Sequence, residues 1–160
     1  RPNRTTKVKN IPDRVSIHQR PAEADGTRFG DWEMDTIVGK DGKGAILTLT
    51  ERSTNMILME RLPEGKHPEP LAKVVVRLLF PYRKTIRSIT TDNGSEFCAH
   101  KLISKGLAPK GAKDPNLVFF ADSYCSWQKG SIENANKLIR QYIPKGTDFL
   151  TLTDAFIRKI

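Results

Sequence analysis

Alternation of apolar and polar side chains sets in at Trp32. Trp32, Met34 and Thr36 alternate with Glu33, Asp35 and Ile37, the period of two that marks a strand, which puts Asp35 on the face opposite Trp32 and Met34. Gly39-Lys40-Asp41-Gly42-Lys43-Gly44 reads as a hairpin turn rather than a phosphate cradle, because no helix follows it. Two further β-rich runs, Ala45 to Thr50 and Met56 to Leu62, are joined through Arg52-Ser53-Thr54-Asn55 and complete an antiparallel three-strand meander.

Pro68-Glu69-Pro70 opens a helix whose apolar positions Leu71, Val74, Val75, Leu78 and Leu79 share one face and which ends before Pro81. Ile86 to Thr91 predicts a fourth strand, Ser95 to Ser104 a short helix, Lys105 to Asn116 a loop, and Leu117 to Ala121 a fifth strand. Ile132, Asn136, Ile139 and Ile143, with Leu138 and Tyr142 beside them, mark a last helix that Pro144 terminates. This order predicts an α/β fold: a mixed five-stranded sheet, three strands as a meander and two parallel, flanked by helices. Residues 1–29, rich in Lys, Arg, Pro and Asp, read as a basic linker or N-terminal arm ahead of a domain over 30–160. A start at Arg1 and an end at Ile160, inside a helical pattern, are what a piece of a longer protein would show.

Charge narrows the picture. The 160 residues hold 27 Lys and Arg against 18 Asp and Glu, a net +9, and such an excess suits a polyanionic partner. The 38% of hydrophobic residues suffices for one core. No apolar run approaches the roughly 18 residues needed to span a membrane. Cys98 and Cys125 lack paired metal-ligand spacing, and His18, His67 and His100 are scattered, so zinc has little support and a reducing compartment fits best.

Against that basic background three carboxylates stand out: Asp35 in the first strand, Asp92 at the end of the fourth, and Glu133 in the first turns of the last helix. Position alone leaves open that they are solvated surface charges. If the first and fourth strands are neighbours, however, the two aspartates meet, and the last helix need only cross their ends to present Glu133. Carboxylates gathered in a poorly solvated place repel one another unless a cation intervenes. Hard divalent ions take such oxygen ligands, and two of them about 3.5–4 Å apart can serve an in-line displacement at phosphorus. Lys129, Glu133, Lys137 and Arg140 have the spacing of one helix face, so Lys129, Lys137 and Arg140 are candidates for gripping DNA phosphates. Asp31 and Glu33 share the strand face of Asp35 and are not excluded by pattern; Glu96 and Asp122 read as helix-start or supporting groups. Tyr124 and Trp127 read as packing aromatics, with stacking on an unpaired base as the alternative.

Four stretches carry a family resemblance: Asp31-Trp32-Glu33-Met34-Asp35-Thr36, Thr91-Asp92-Asn93-Gly94-Ser95-Glu96-Phe97, the run from Phe120 to Asn136 and Ile139-Arg140-Gln141-Tyr142-Ile143-Pro144-Lys145-Gly146. Together they resemble the catalytic core of bacterial insertion-sequence transposases of the IS30 family, from about Gly30 to Gly146. The first motif block of the second stretch recurs across DDE transposases and retroviral-type integrases; the run from Ser126 to Asn136 is more specific. The resemblance implies an RNase H-like fold, Asp35, Asp92 and Glu133 as a DDE triad binding two Mg²⁺ ions (Mn²⁺ as substitute) with Asp35 bridging them, and homo-oligomers in a synaptic complex. The implied activity is cleavage of DNA at transposon ends and strand transfer into target DNA, in the bacterial cytosol. Forty residues separate Asp92 from Glu133, more than is usual for such enzymes, and the excess is expected in the Lys105 to Asn116 loop. Two other functions fit the same charge or fold: a ribonuclease H-type nuclease and a non-catalytic basic DNA-binding module.

Overall fold

The computed structural model describes residues 11–160; residues 1–10 of the expected arm lie outside the described residues. Strands β1 (Asp31–Val38), β2 (Ala45–Glu51), β3 (Ile57–Leu62), β4 (Ser88–Thr91) and β5 (Val118–Phe120) form one sheet in the order β3-β2-β1-β4-β5. The pairs β1–β2 and β2–β3 are antiparallel, and β4 joins β1 and β5 in parallel, as the order of elements predicts.

The period of two in β1 separates two cores. Trp32 and Met34, with Leu47 and Leu49 of β2, face helices α1 (Pro68–Leu79) and α2 (His100–Leu107). Ile37 and Ile46 face the other way, toward Ile139 and Ile143 at the end of helix α3 (Gly130–Tyr142). Phe149 and Ile157, the latter in the short helix α4 (Asp154–Ile157), complete that second cluster. A large apolar side chain buried this fully contributes about 1.5–3 kcal/mol relative to exposure, so both layers hold the sheet. Gly30, at φ +114°, precedes β1 where a Cβ would run into the Thr85 carbonyl, and its own carbonyl accepts from the Arg87 and Ser88 amides.

Several boundaries differ from the sequence expectation. The fourth strand starts at Ser88 rather than Ile86, because β1 offers ladder partners only from Asp31, which is level with Ser88. β5 is three residues long, Val118–Phe120, level with Ile89–Thr91 of β4. The helix expected from Ser95 splits into a 3-10 turn, Ser95–Phe97, and α2, which runs three residues into the expected loop. On α3 the buried positions are Ile132, Ala135 and Ile139, while Leu138 and Tyr142 are exposed.

Residues 11–29 lie against the domain. The Phe120 amide donates to the Val15 carbonyl at 2.8 Å, Ser16 bridges Phe120, and Ile11, Ile17 and Ala24 are buried. Among the described residues no helix is long and apolar enough to cross a membrane.

Candidate active site

Parallel pairing brings two of the three carboxylates together. β1 and β4 are in register at Glu33 and Thr90, so two residues further along both strands Asp35 comes level with Asp92. The carboxyl ends of parallel strands are where such sheets open a crevice. Glu133 arrives from the first turn of α3, which packs across β1 and β2. All three side chains line one cleft of about 730 Å³, which also takes in Lys66, Glu96 and Lys129.

Each carboxylate has its own support. Asp35 accepts from the Thr36 amide at 2.8 Å and from Asn136 Nδ2 at 3.1 Å; the Asn136 carbonyl oxygen in turn accepts from Thr48 Oγ1 at 3.0 Å. Asp92 Oδ1 accepts from the Gly94 amide at 2.8 Å, and Lys129 Nζ lies 3.7 Å from its Oδ2. Glu96, buried, accepts from Thr36 Oγ1 at 3.0 Å and pairs with Lys66 at 3.1 Å. A Cβ at Gly94 would meet the Glu96 carboxylate, which would have to shift to admit it. Burial pushes the Asp35 carboxyl above its ordinary range; the Lys129 ammonium and the Thr36 amide oppose the rise, and Asp92 and Glu96 add to it.

The donor chemistry fits hard divalent ions. Five carboxylates, Asp35, Asp92, Glu96, Asp122 and Glu133, line the cleft against two lysines, an excess of negative charge that an oxygen-seeking cation relieves. Among the described residues no three His, Cys, Asp or Glu side chains stand as a ready-made ion cage. As they stand, Asn136 holds Asp35 and Lys129 faces Asp92.

The rival acids sort by contact. Asp31 is fully buried, forked by Arg28 at 2.7 and 3.2 Å and bound by Ser88 Oγ at 2.7 Å, and takes no part in the cleft. Glu33 is buried too: its Oε2 accepts from the Ile132 amide at 2.6 Å and its Oε1 lies 3.2 Å from Arg52. Burial raises the Glu33 carboxyl, with the Ile132 amide, Arg52, Lys129 and Arg20 opposing. Asp122 stands at the rim, held by Gln128 at 3.0 Å and His18 at 2.7 Å.

The expected phosphate-gripping face is not one face. Lys129 precedes α3 in a 3-10 turn and is buried, so its ammonium reaches only the cleft interior. Arg140 donates to the carbonyls of Val38, Ile143 and Pro144 and lies over the Phe149 ring, tied into the fold. Lys137 alone of the three is exposed. The aromatics differ from expectation as well: Tyr124 is 94% and Trp127 71% exposed, so neither packs in a core. Sequence reading had no purchase on Lys66 or Thr48, whose partners lie 30 and 88 residues away. Asn136 gave a signal, a polar residue on the inward side of α3, but its partner was not legible.

No protein-family model matches the chain. The transposase for insertion sequence element IS4351 of Bacteroides fragilis is 44% identical over 151 residues, 94% of this chain and 44% of that protein. The transposase InsI for insertion sequence element IS30A of Escherichia coli (strain K12) is 32% identical over 140 residues, 86% of this chain and 34% of that protein. The chain thus spans less than half the length of these curated relatives. The crystal structure of the catalytic core domain of BIV integrase matches 67% of this chain and 64% of its own, with a TM-score of 0.50 and 22% identity. At that identity the likeness speaks for the fold, the RNase H-like sheet with flanking helices.

Proposed function

We propose, on the premise that the chain is 44% identical to the IS4351 transposase and 32% identical to the IS30A transposase over most of its own length, that it is the catalytic core of an insertion-sequence transposase of the IS30 family, cutting DNA at transposon ends and joining the freed ends to target DNA. The observation that carries this reading is the convergence of Asp35, Asp92 and Glu133 on one cleft from β1, the end of β4 and α3. These three would hold Mg²⁺ or Mn²⁺. Ions held there would supply activation of an attacking water or 3′-hydroxyl and would offset charge on the leaving oxygen of an in-line displacement.

The chain's own residues do the rest. Asn136 and the Thr36 amide fix the Asp35 carboxylate in one orientation, and the Gly94 amide does the same for Asp92. Lys129, buried beside Asp92, holds positive charge at the floor of the cleft where a scissile phosphate would enter. Lys137 on the exposed side of α3 contacts flanking phosphates, which adds affinity without sequence information. Tyr124 and Trp127, exposed on the loop that borders the cleft, offer flat apolar faces to bases. DNA is the substrate and partner, and copies of the chain assemble around the paired ends.

The test is a gel. Labelled transposon-end DNA is incubated with the protein, with and without Mg²⁺, beside an RNA–DNA hybrid of the same sequence. Metal-dependent nicking and joining of the DNA are expected, and Asp92→Asn removes both while leaving DNA binding intact. Nicking by the variant at the wild-type rate takes Asp92 out of the reaction. Cleavage of the hybrid's RNA alone marks a ribonuclease, and metal-independent binding without products marks a non-catalytic module.

A further inference from the structure

Residues 11–20 have no role in the chemistry above, yet they touch both loops beside Asp92. The strip runs alongside β5, where the Phe120 amide donates to Val15 and Ser16 bridges Phe120. From it Arg14 reaches two places: Nε donates to Asn93 Oδ1 at 2.6 Å and Nη2 to the Ala121 carbonyl at 3.0 Å. Asn93 Nδ2 donates to the same carbonyl at 2.8 Å. Arg14 therefore joins the turn that carries Asp92 to the chain leaving β5. Two residues beyond Ser16, His18 Nε2 meets Asp122 Oδ2 at 2.7 Å. Gln128 holds the same residue from the far end of the loop, its Nε2 on the carboxylate at 3.0 Å and its Oε1 on the Asp122 amide at 2.8 Å.

Single exposed contacts of this kind contribute little to stability, and both Arg14 and His18 are exposed. Their effect comes from the anchoring of the strip that bears them. Ile11 and Ile17 are buried, the Pro12 carbonyl meets His100 Nε2 at 2.7 Å, and Arg20 Nη1 donates to Thr90 Oγ1 at 2.8 Å. With the backbone already ordered, only the rotamer freedom of the side chains remains to be lost on reaching the loops. Loop 121–129 needs outside support: it contains Tyr124 at φ +61°, a left-handed conformation that a bulky residue keeps only when its surroundings impose it.

From this geometry we infer that residues 11–20 form a strap that fixes the Asp92 turn and loop 121–129 against each other, with Arg14 and His18 as positioning residues for the cleft. Its catalytic consequence rests on the cleavage reading; its mechanical consequence does not. The chain carrying Arg14→Ala and His18→Ala together is compared with wild type, with Arg14→Lys, which keeps the charge and one donor, and with Gln19→Ala, an exposed control on the same strip. Amide hydrogen exchange without metal or DNA is expected to quicken about tenfold in loop 121–129 of the double variant, to stay at the wild-type rate in Gln19→Ala, and to fall between in Arg14→Lys. In Mg²⁺-dependent nicking, kcat of the double variant falls about tenfold or more with KM for DNA unchanged. Unchanged exchange in the loop overturns the strap, and quickened exchange with wild-type kcat overturns its positioning role. A wild-type chain that nicks no DNA defeats the cleavage reading instead, while the exchange comparison still decides the strap.

Discussion

Asn136 lies three residues beyond Glu133 on α3 and spends its amide on two partners, Asp35 and Thr48. Asp35 takes one neutral donor on each oxygen, the Thr36 amide on Oδ1 and Asn136 on Oδ2, which leaves its remaining lone pairs for a cation, and such supporting contacts tune ion sites. Asn136→Ala is expected to weaken Mn²⁺ binding about 10–100-fold, read by titration calorimetry on a chain whose circular dichroism is unchanged. Wild-type affinity in that variant reduces Asn136 to a packing residue. The candidate carboxylates themselves were legible in the sequence because each sits in a short motif of distinctive composition. Thr48, Lys66 and the partners of Asn136 were not, because hydrogen bonding across many tens of residues has no local signature. Lys129 was legible as a cation, but its burial beside Asp92 was not.

At the scale of elements, β1 does two jobs with its two faces. Trp32 and Met34 anchor it in the core under α1 and α2, while Glu33 and Asp35 face the opposite layer. Glu33 accepts from the amide of Ile132, in the first turn of α3, where unpaired amides and the helix dipole favour a negative charge. It thereby ties the helix that carries Glu133 to the strand that carries Asp35. Glu33→Ala strands Arg52 without its buried partner and is expected to cost about 3–5 kcal/mol of stability, measured as a lower urea midpoint at unchanged slope. A loss under about 0.5 kcal/mol, the size of an ordinary surface change, would mean that the tie is idle. The alternation in β1 announced this division in advance. On α3 the periodic pattern gave the helix and its end at Pro144, but placed Leu138 and Tyr142 beside the buried positions when they face outward. Which side of a helix is covered depends on the sheet it meets, here β1 and β2, and that pairing is not local.

Two properties belong to the whole molecule. The chain carries a net charge of +9, so DNA affinity should fall steeply with salt. Lys137→Ala, removing one exposed cation, is expected to lower the slope of log K against log salt by about 0.9, from binding curves across a salt series. An unchanged slope places the DNA elsewhere. The second property is acid sensitivity. Burial works to raise the Glu51 carboxyl, but Thr54 and Ser53 hydroxyls with the Thr54 and Gly30 amides outweigh it and hold Glu51 below its ordinary value. A carboxyl lowered in the folded state stabilises above its unfolded value and loses that contribution as pH falls through the folded one. Unfolding midpoints should therefore drop less between neutral and acid pH in Glu51→Gln than in wild type; parallel curves would take Glu51 out of the acid response.

By itself the sequence determined the order of the five strands and of the three longer helices among them, the faces of β1, and the three motif blocks that carry Asp35, Asp92 and Glu133, because periodicity, turn residues and short motifs act over a few residues. Tertiary structure decided the rest. Parallel pairing of β1 with β4 made Asp35 and Asp92 neighbours, α3 lying across the sheet buried Lys129 beside them, and the strip at 11–20 came to rest against the loops of the cleft. Each of these is a contact between segments far apart in the chain, where the energy lies in mutual burial and shared hydrogen bonds that neither segment specifies alone.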